Sequence, residues 1–354
     1  MRVYIAFCGI GLGHAFRAMQ VGKELKKRGH KVLYSTYEPT YSKLRQRGID
    51  VLRTSAEVSQ YQNRSSLDLF KTIAHTSLNL TKTPLFIKEH ADIIGKFKPD
   101  VIIADTFFSA LIAGKALGIP VMFITNQTDV SSFFPQKRYF ALRAFTDAIY
   151  KEFIKMGEKY LIPDLPLPNA ICRYNIKFFG LEEKFAFVGP IVQKKPGDVR
   201  AIKFKRQTIL VTLGGSGLKA DIKKYMEDSP GIDFLVLNSP FEKREGNVTY
   251  KKYVKDFFPY LKGCDALLTH GGHTSIMEAV VFGKPVFGIS LKGYAERERN
   301  LKGIEKSGNG CTVRSMKKAL KNLSKYKNKA KLLQKLALKS DGAKKIADMA
   351  EEFE

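Results

Sequence analysis

The run AFCGIGLGHAFRAM, residues 6–19, sets Gly9, Gly11 and Gly13 at alternate positions directly before His14 and a helical pattern. A loop of this kind can cradle a phosphate on its backbone N–H groups, form a tight turn, or seat an imidazole that moves protons near neutral pH. The dinucleotide reading fails on its own requirement. G-x-G-x-x-G needs a glycine at position 14, where histidine stands, and the next strand-like run, KVLYSTYEP, has no acidic residue nearer than Glu38.

A second concentration of chemistry lies in LLTHGGHTSIMEAVVFGKPVFGIS, residues 267–290. The pattern predicts a strand ending at Thr269, a turn at Gly271 and Gly272, and a helix starting at Ser275 whose free N–H groups and positive dipole end form an anion site. His270, at the strand end, adds a side-chain donor to the same anion. Glu278 follows Ser275 by three residues, the spacing of a capping box, which accounts for this glutamate without any ligand.

Both stretches sit in a repeating grammar. VYIAFC, KKRGHKVLYST, PDVIIADTFF and IPVMFITNQ are apolar strand runs separated by helical patterns, the first of which puts Ala18, Val21, Gly22 and Leu25 on one face. Continuous Val, Ile and Phe runs alternating with helices imply a parallel sheet covered on both sides. After a Gly- and Pro-containing linker over residues 185–200 the grammar restarts with QTILVTLGGSG, FLVLNSP, ALLTHGG and KPVFGIS. The fold class is therefore α/β with two doubly wound, Rossmann-like domains, and 354 residues suffice for two cores. The expected boundaries are 1–187, 188–330, and a basic C-terminal helix over 331–354 that packs back on the first domain. In such sheets chemistry belongs at the carboxyl ends of the strands, here the loops after Phe7, Asp105, Leu213 and Thr269.

Composition narrows the setting. The apolar region over residues 101–125 is interrupted by Asp105, Lys115, Gly118 and Pro120, and the first residues lack the apolar core of a signal peptide, so a cytoplasmic location is expected. Four scattered cysteines with no C-x-x-C pair argue against a disulfide framework and a cysteine zinc site. A net charge of +26, from 60 Lys and Arg against 34 Asp and Glu, points to a polyanionic partner; a generally Lys-rich proteome is the bland alternative. Nucleic acid is disfavoured, because no zinc finger, RNA-recognition or helix-turn-helix signature is present. Residues 131–145 interleave five Phe or Tyr with Lys137, Arg138 and Arg143, and residues 314–345 carry twelve Lys or Arg and one acid, Asp341, around Leu332, Leu333 and Leu336. Both suit an anionic membrane surface. The second equally suits a solvated helix docked by its leucines.

The run H-G-G-x-x-S-x-x-E-A-x-x-x-G-x-P, residues 270–285, resembles the donor-binding signature of the GT-B glycosyltransferases, which include the UDP-glycosyltransferases and the bacterial peptidoglycan N-acetylglucosaminyltransferase. The resemblance implies a GT-B fold whose two parallel sheets face each other across a cleft, the first domain binding acceptor and the second nucleotide sugar. It implies that His270, Gly271, Gly272, Thr274 and Ser275 hold the donor diphosphate and that Glu278 binds the ribose hydroxyls. Gly214, Gly215 and Ser216 resemble the family's other diphosphate loop. Tyr253 and Val254 fall where the family holds the base, by stacking and by a backbone bond. Glu296 and Arg297 fall where it reads the sugar hydroxyls; Arg297 replaces a glutamine, which opens the possibility of a uronic acid donor, whereas an Arg merely exposed or folded onto Glu296 is the plainer reading.

On the acceptor side the resemblance implies that Gly13 lets the diphosphate approach, that His14 is the general base, and that Asp105 fixes its tautomer. A turn histidine touching phosphate, and an aspartate capping the next helix, are the structural alternatives. The implied activity is an inverting, metal-independent hexosyltransferase that takes a nucleotide sugar, most simply UDP-linked, as substrate with no other cofactor. Its acceptor would be a hydroxyl on a glycolipid or other lipid-linked intermediate of the cell envelope, reached from the inner face of the membrane. A hydrolysing UDP-sugar epimerase and a non-catalytic nucleotide-sugar-binding protein are the rivals.

Overall fold

Residues 2–7, RVYIAF, are apolar at five consecutive positions and all five are buried, the signature of a strand covered on both faces. In the computed structural model this strand, β1 (Arg2–Phe7), leads into α1 (Leu12–Lys27), β2 (Lys31–Thr36), α2 (Thr40–Arg45) and β3 (Leu52–Arg53). A short hairpin, β4 (Gln62–Asn63) and β5 (Ser66–Leu67), precedes α3 (Thr83–Phe97), β6 (Val101–Asp105), α4 (Phe108–Ala116), β7 (Val121–Ile124), α5 (Phe140–Met156), β8 (Lys159–Ile162) and β9 (Phe185–Phe187). The structure describes residues 1–58, 62–63, 66–67, 81–131, 139–212, 225, 229, 231–291 and 293–354.

The second half runs β10 (Thr208–Thr212), β11 (Asp233–Val236), β12 (Lys243–Glu245), β13 (Val248–Tyr250), α6 (Phe258–Gly263), β14 (Ala266–Thr269), α7 (His273–Val281), β15 (Val286–Gly288), α8 (Ala295–Ser307), β16 (Gly310–Thr312), α9 (Met316–Lys321), α10 (Leu323–Ala337) and α11 (Gly342–Glu351).

The strands form two seven-stranded sheets, ordered β3-β2-β1-β6-β7-β8-β9 and β12-β13-β11-β10-β14-β15-β16. The first is parallel throughout, and only the β12–β13 hairpin at the edge of the second is antiparallel. This is the GT-B arrangement of two Rossmann-like sheets. In each, the order reverses at the centre, between β1 and β6 and between β10 and β14. Such switch points open a crevice beyond the carboxyl ends of the strands. Phe7 pairs with Asp105 at the first and Thr212 with Thr269 at the second, so the loops carrying His14 and His270 leave from these two points.

Three local differences from the sequence reading have physical causes. Residues 185–187 of the expected linker form β9, because the alternating FAF run adds a parallel edge to β8. The basic segment 331–354 is not one helix. It contains the end of α10 and all of α11, divided at Asp341, whose side chain accepts from the backbone N–H of Lys344 as an N-cap. Leu333 alone of the three leucines is buried, while Leu332 and Leu336 are exposed. α11 packs on the first sheet's core, with Ala343, Ile346, Ala347 and Ala350 against Ala18, Val21 and Leu25 of α1, the i, i+3, i+4, i+7 spacing of a single apolar stripe.

Candidate active site

His14 is the third residue of α1 and Asp105 the last of β6, and the topology brings them together. His14 Nδ1 lies 2.7 Å from Asp105 Oδ1. The carboxylate is wholly buried, whereas the imidazole retains 22% side-chain exposure. Burial pushes the Asp105 carboxyl up, but the Arg17 guanidinium, and then His14, overcome this and hold it at about 2. An ionised carboxylate only accepts hydrogen bonds, so Nδ1 carries the proton of the neutral ring and Nε2 keeps its lone pair.

Arg17 was not anticipated. It donates to Asp105 Oδ2 from Nε at 2.9 Å and to Oδ1 from Nη2 at 2.7 Å, a two-pronged pair in the interior. Nη2 is also 3.0 Å from His14 Nδ1. Both are donors, so that approach is a consequence of their shared acceptor and not a hydrogen bond. Burial pushes the guanidinium down and Asp105 more than restores it, so Arg17 stays charged. The spacing of Arg17 from His14, i to i+3 on a helix, was the available signal. Thr106, directly after Asp105, holds φ at +52°, a costly conformation for a β-branched residue.

α7 starts at His273 with Gly272 as its N-cap, two residues before the expected start. Ser275 is thus inside the first turn and cannot cap, and Glu278 lies mid-helix. The capping-box reading of that pair is overturned. Gly271 takes φ +86° to turn the chain, and a side chain there would strike the Arg297 carbonyl. Across the cleft, a Cβ built on Gly13 would lie 2.7 Å from Thr274 Oγ1, so glycine is needed for the starts of α1 and α7 to approach this closely. Two positive helix ends therefore meet at one place.

Glu278 is 4% exposed, and among the described residues no hydrogen bond or ion pair reaches its carboxylate. Burial alone pushes it up to about 8. His270 is buried at the end of β14. Gly214, Gly215 and Ser216 lie outside the described residues.

Polar contacts from the first half fix this second half. Asn126, just past β7, donates to Glu296 Oε1 at 2.7 Å, and Asn300 donates to the same oxygen at 3.0 Å and shares its amide with the Gly271 carbonyl. Asn175 donates to Asn300 Oδ1 at 2.8 Å. His273 Nε2 faces Asp164 Oδ2 at 3.0 Å, and the same carboxylate accepts from the N–H groups of Leu165 and Cys172. Asp164, Cys172 and His273 put three potential ligand atoms within 4.8 Å, yet the aspartate oxygens are already engaged, so the cluster serves as a hydrogen-bonded strut between the halves. Arg297 does not fold onto Glu296; its guanidinium stacks on Tyr294 at 4.3 Å.

The family model described as Glycosyl transferase family 1 matches residues 1–330. The chain belongs to this family. An uncharacterized glycosyltransferase of Methanosarcina mazei is 31% identical, covering 99% of this chain and 98% of its own. A UDP-N-acetylglucosamine–N-acetylmuramyl-(pentapeptide) pyrophosphoryl-undecaprenol N-acetylglucosamine transferase of Thermosipho africanus is 23% identical over 86% of this chain and 85% of its own. The crystal structure of the glycotransferase of kitacinnamycin shares the fold with a TM-score of 0.74 at 17% identity, covering 99% of this chain and 98% of its own.

In this family 1 glycosyltransferase the remaining expected contacts divide. Tyr253 is 68% exposed, a ring open to solvent, whereas Val254 packs on the second-half core. His90 is interior and remote from the pair: its Nδ1 meets Tyr4 Oη at 2.7 Å and burial holds it at about 4. His30 binds Glu351 of α11. Among the described residues no helix is long and apolar enough to cross a membrane.

Proposed function

We propose that this glycosyltransferase moves a hexosyl group from a UDP-sugar to a hydroxyl of a membrane-associated acceptor, with inversion and without a metal. The observation that carries the reading is the His14–Asp105 pair beside Gly13, opposite the start of α7. His14 Nε2 removes the acceptor hydroxyl proton while that oxygen forms its bond to the anomeric carbon from the face opposite UDP. The bond from carbon to the β-phosphate oxygen breaks, and UDP leaves with the electron pair. The N-terminus of α7 with Thr274 and Ser275, His270, Gly271 and Gly272 and the loop at Gly214, Gly215 and Ser216 offset the leaving charge. Glu278 accepts from the ribose hydroxyls, Tyr253 and Val254 hold the base, and Glu296 and Arg297 face the sugar.

The nucleotide and the lipid acceptor draw support from the Thermosipho relative, whose name specifies UDP-N-acetylglucosamine and a pyrophosphoryl-undecaprenol acceptor. Membrane contact draws support from α5, where Phe140, Leu142, Phe145 and Ile149 are exposed, and from α10, where Leu332 and Leu336 are exposed beside Lys325, Lys331 and Lys335 and the helix carries no acid. Residues 132–138 of the aromatic and basic stretch lie outside the described residues.

The test begins with thermal shifts over UDP-, GDP- and dTDP-sugars, since a bound donor raises the melting temperature. The stabilising α-linked donor is then incubated without acceptor and the released sugar followed at once by proton NMR. Release of the β-anomer, lost in His14→Ala, is expected; the α-anomer contradicts inversion, and a C2-epimerised sugar would identify the epimerase instead.

A further inference from the structure

Proton abstraction by a histidine needs a neutral ring and a partner for its Nδ1–H; nothing in that chemistry asks for a buried cation at the same carboxylate. Arg17 is 3% exposed, and burying a guanidinium is costly unless it is fully paired. Its two bonds occupy both oxygens of Asp105, so the carboxylate can neither rotate nor drift while Oδ1 receives Nδ1–H of His14. Arg17 and His14 are anchored on the same turn of α1, which ties the clamp to the base it serves.

With Asp105 alone, the cluster would be −1 with a neutral ring and 0 with an imidazolium, and the carboxylate would favour protonation. With Arg17 it is 0 and +1, and the guanidinium 3.0 Å from Nδ1 disfavours the imidazolium. Among the described residues, the other titratable groups acting on the cluster are Glu296 of α8, which favours the Arg17 cation, and Cys8 just past β1, near Glu57. Burial pushes the Cys8 thiol up to about 11, so it is neutral in the working range.

We propose that Arg17 is a positioning residue that clamps Asp105 and keeps His14 neutral, extending proton abstraction to lower pH than a histidine–aspartate pair by itself would sustain. The proposal rests on His14 being the base.

The test reads the ring directly, by NMR titration of His14 in the full chain, alongside the pH profile of UDP release from the stabilising nucleotide sugar. Arg17→Gln is expected to raise both the His14 midpoint and the acid limb of kcat/KM by about one pH unit, tenfold in the neutral-to-charged ratio. Arg17→Lys, which keeps the charge and loses the fork, is expected to leave the midpoint within about 0.3 unit of the parent while lowering kcat about tenfold. An unmoved or lowered midpoint in Arg17→Gln overturns the proposal. Should that variant not fold, a midpoint raised by a full unit in Arg17→Lys overturns it equally, since the charge is still present. Full turnover in His14→Ala removes the base assignment but leaves a midpoint shift in Arg17→Gln standing, whereas an inert His14→Ala with no midpoint shift in Arg17→Gln removes the clamp alone.

Discussion

The two glycine-led helix starts that meet across the cleft are built on opposite principles. At α1 the proposed catalytic groups are already in contact: His14, Asp105 and Arg17 form a closed set at 2.7–3.0 Å. At α7 the single acid of the motif, Glu278, has no partner among the described residues and is pushed up to about 8 by burial alone. The contrast suits a site whose base is preorganised while its donor pocket keeps an acceptor in reserve for a ligand's hydroxyls. Substitutions in the two halves should therefore act differently: those in the first should lower rate and stability, those in the second affinity.

The largest effect is expected for His14→Ala, with turnover down by about 10³-fold and UDP affinity within about threefold of the parent. Asp105→Ala strands a buried guanidinium and should destabilise the fold by about 3–5 kcal/mol in urea or thermal unfolding, whereas a loss under about 1 kcal/mol would show that the ion pair is not truly buried. Glu278→Gln should weaken UDP binding by about 10–100-fold, the range of one or two hydrogen bonds to a charged group. It should also melt above the parent at pH 8. The folded-state value of Glu278 lies above its ordinary 4.5, so what it contributes is present below about 4.5 and is lost as pH rises toward 8. The gap between variant and parent should accordingly close near pH 5. The smallest effect concerns the outer surface: Leu332→Ala with Leu336→Ala should reduce sedimentation with phosphatidylglycerol vesicles severalfold and leave UDP binding unchanged, and sedimentation equal to the parent's would remove α10 from the membrane face.

Much of this contrast was legible in the sequence because the proposed reacting residues lie at or just past the ends of apolar runs. Asp105 ends one apolar strand and His14 opens the helix after another, and the α/β alternation alone puts such ends on one edge of a sheet. The start of α7 was misjudged because Ser275 and Glu278 have the spacing of a capping box, although the Gly271–Gly272 turn had already begun the helix. Arg17 escaped because an arginine on an amphipathic helix ordinarily faces water; only the long-range pairing with Asp105, 88 residues away, explains its burial. Asp164, Asn126 and Asn175 escaped for a similar reason. They lie outside the strands and the α-helices, their partners are 109 to 170 positions along the chain, and no local pattern encodes that distance. The split of the basic segment at Asp341 was a local signal, an N-cap before a stripe of small residues, masked by the surrounding lysines.

The most direct measurement is calorimetric titration of UDP into the parent, His14→Ala and Glu278→Gln proteins under one buffer. With a preorganised base and a reserved acceptor, the Kd of His14→Ala is expected within about threefold of the parent and that of Glu278→Gln at least about tenfold weaker. Equal weakening of the two, or loss confined to His14→Ala, would contradict it.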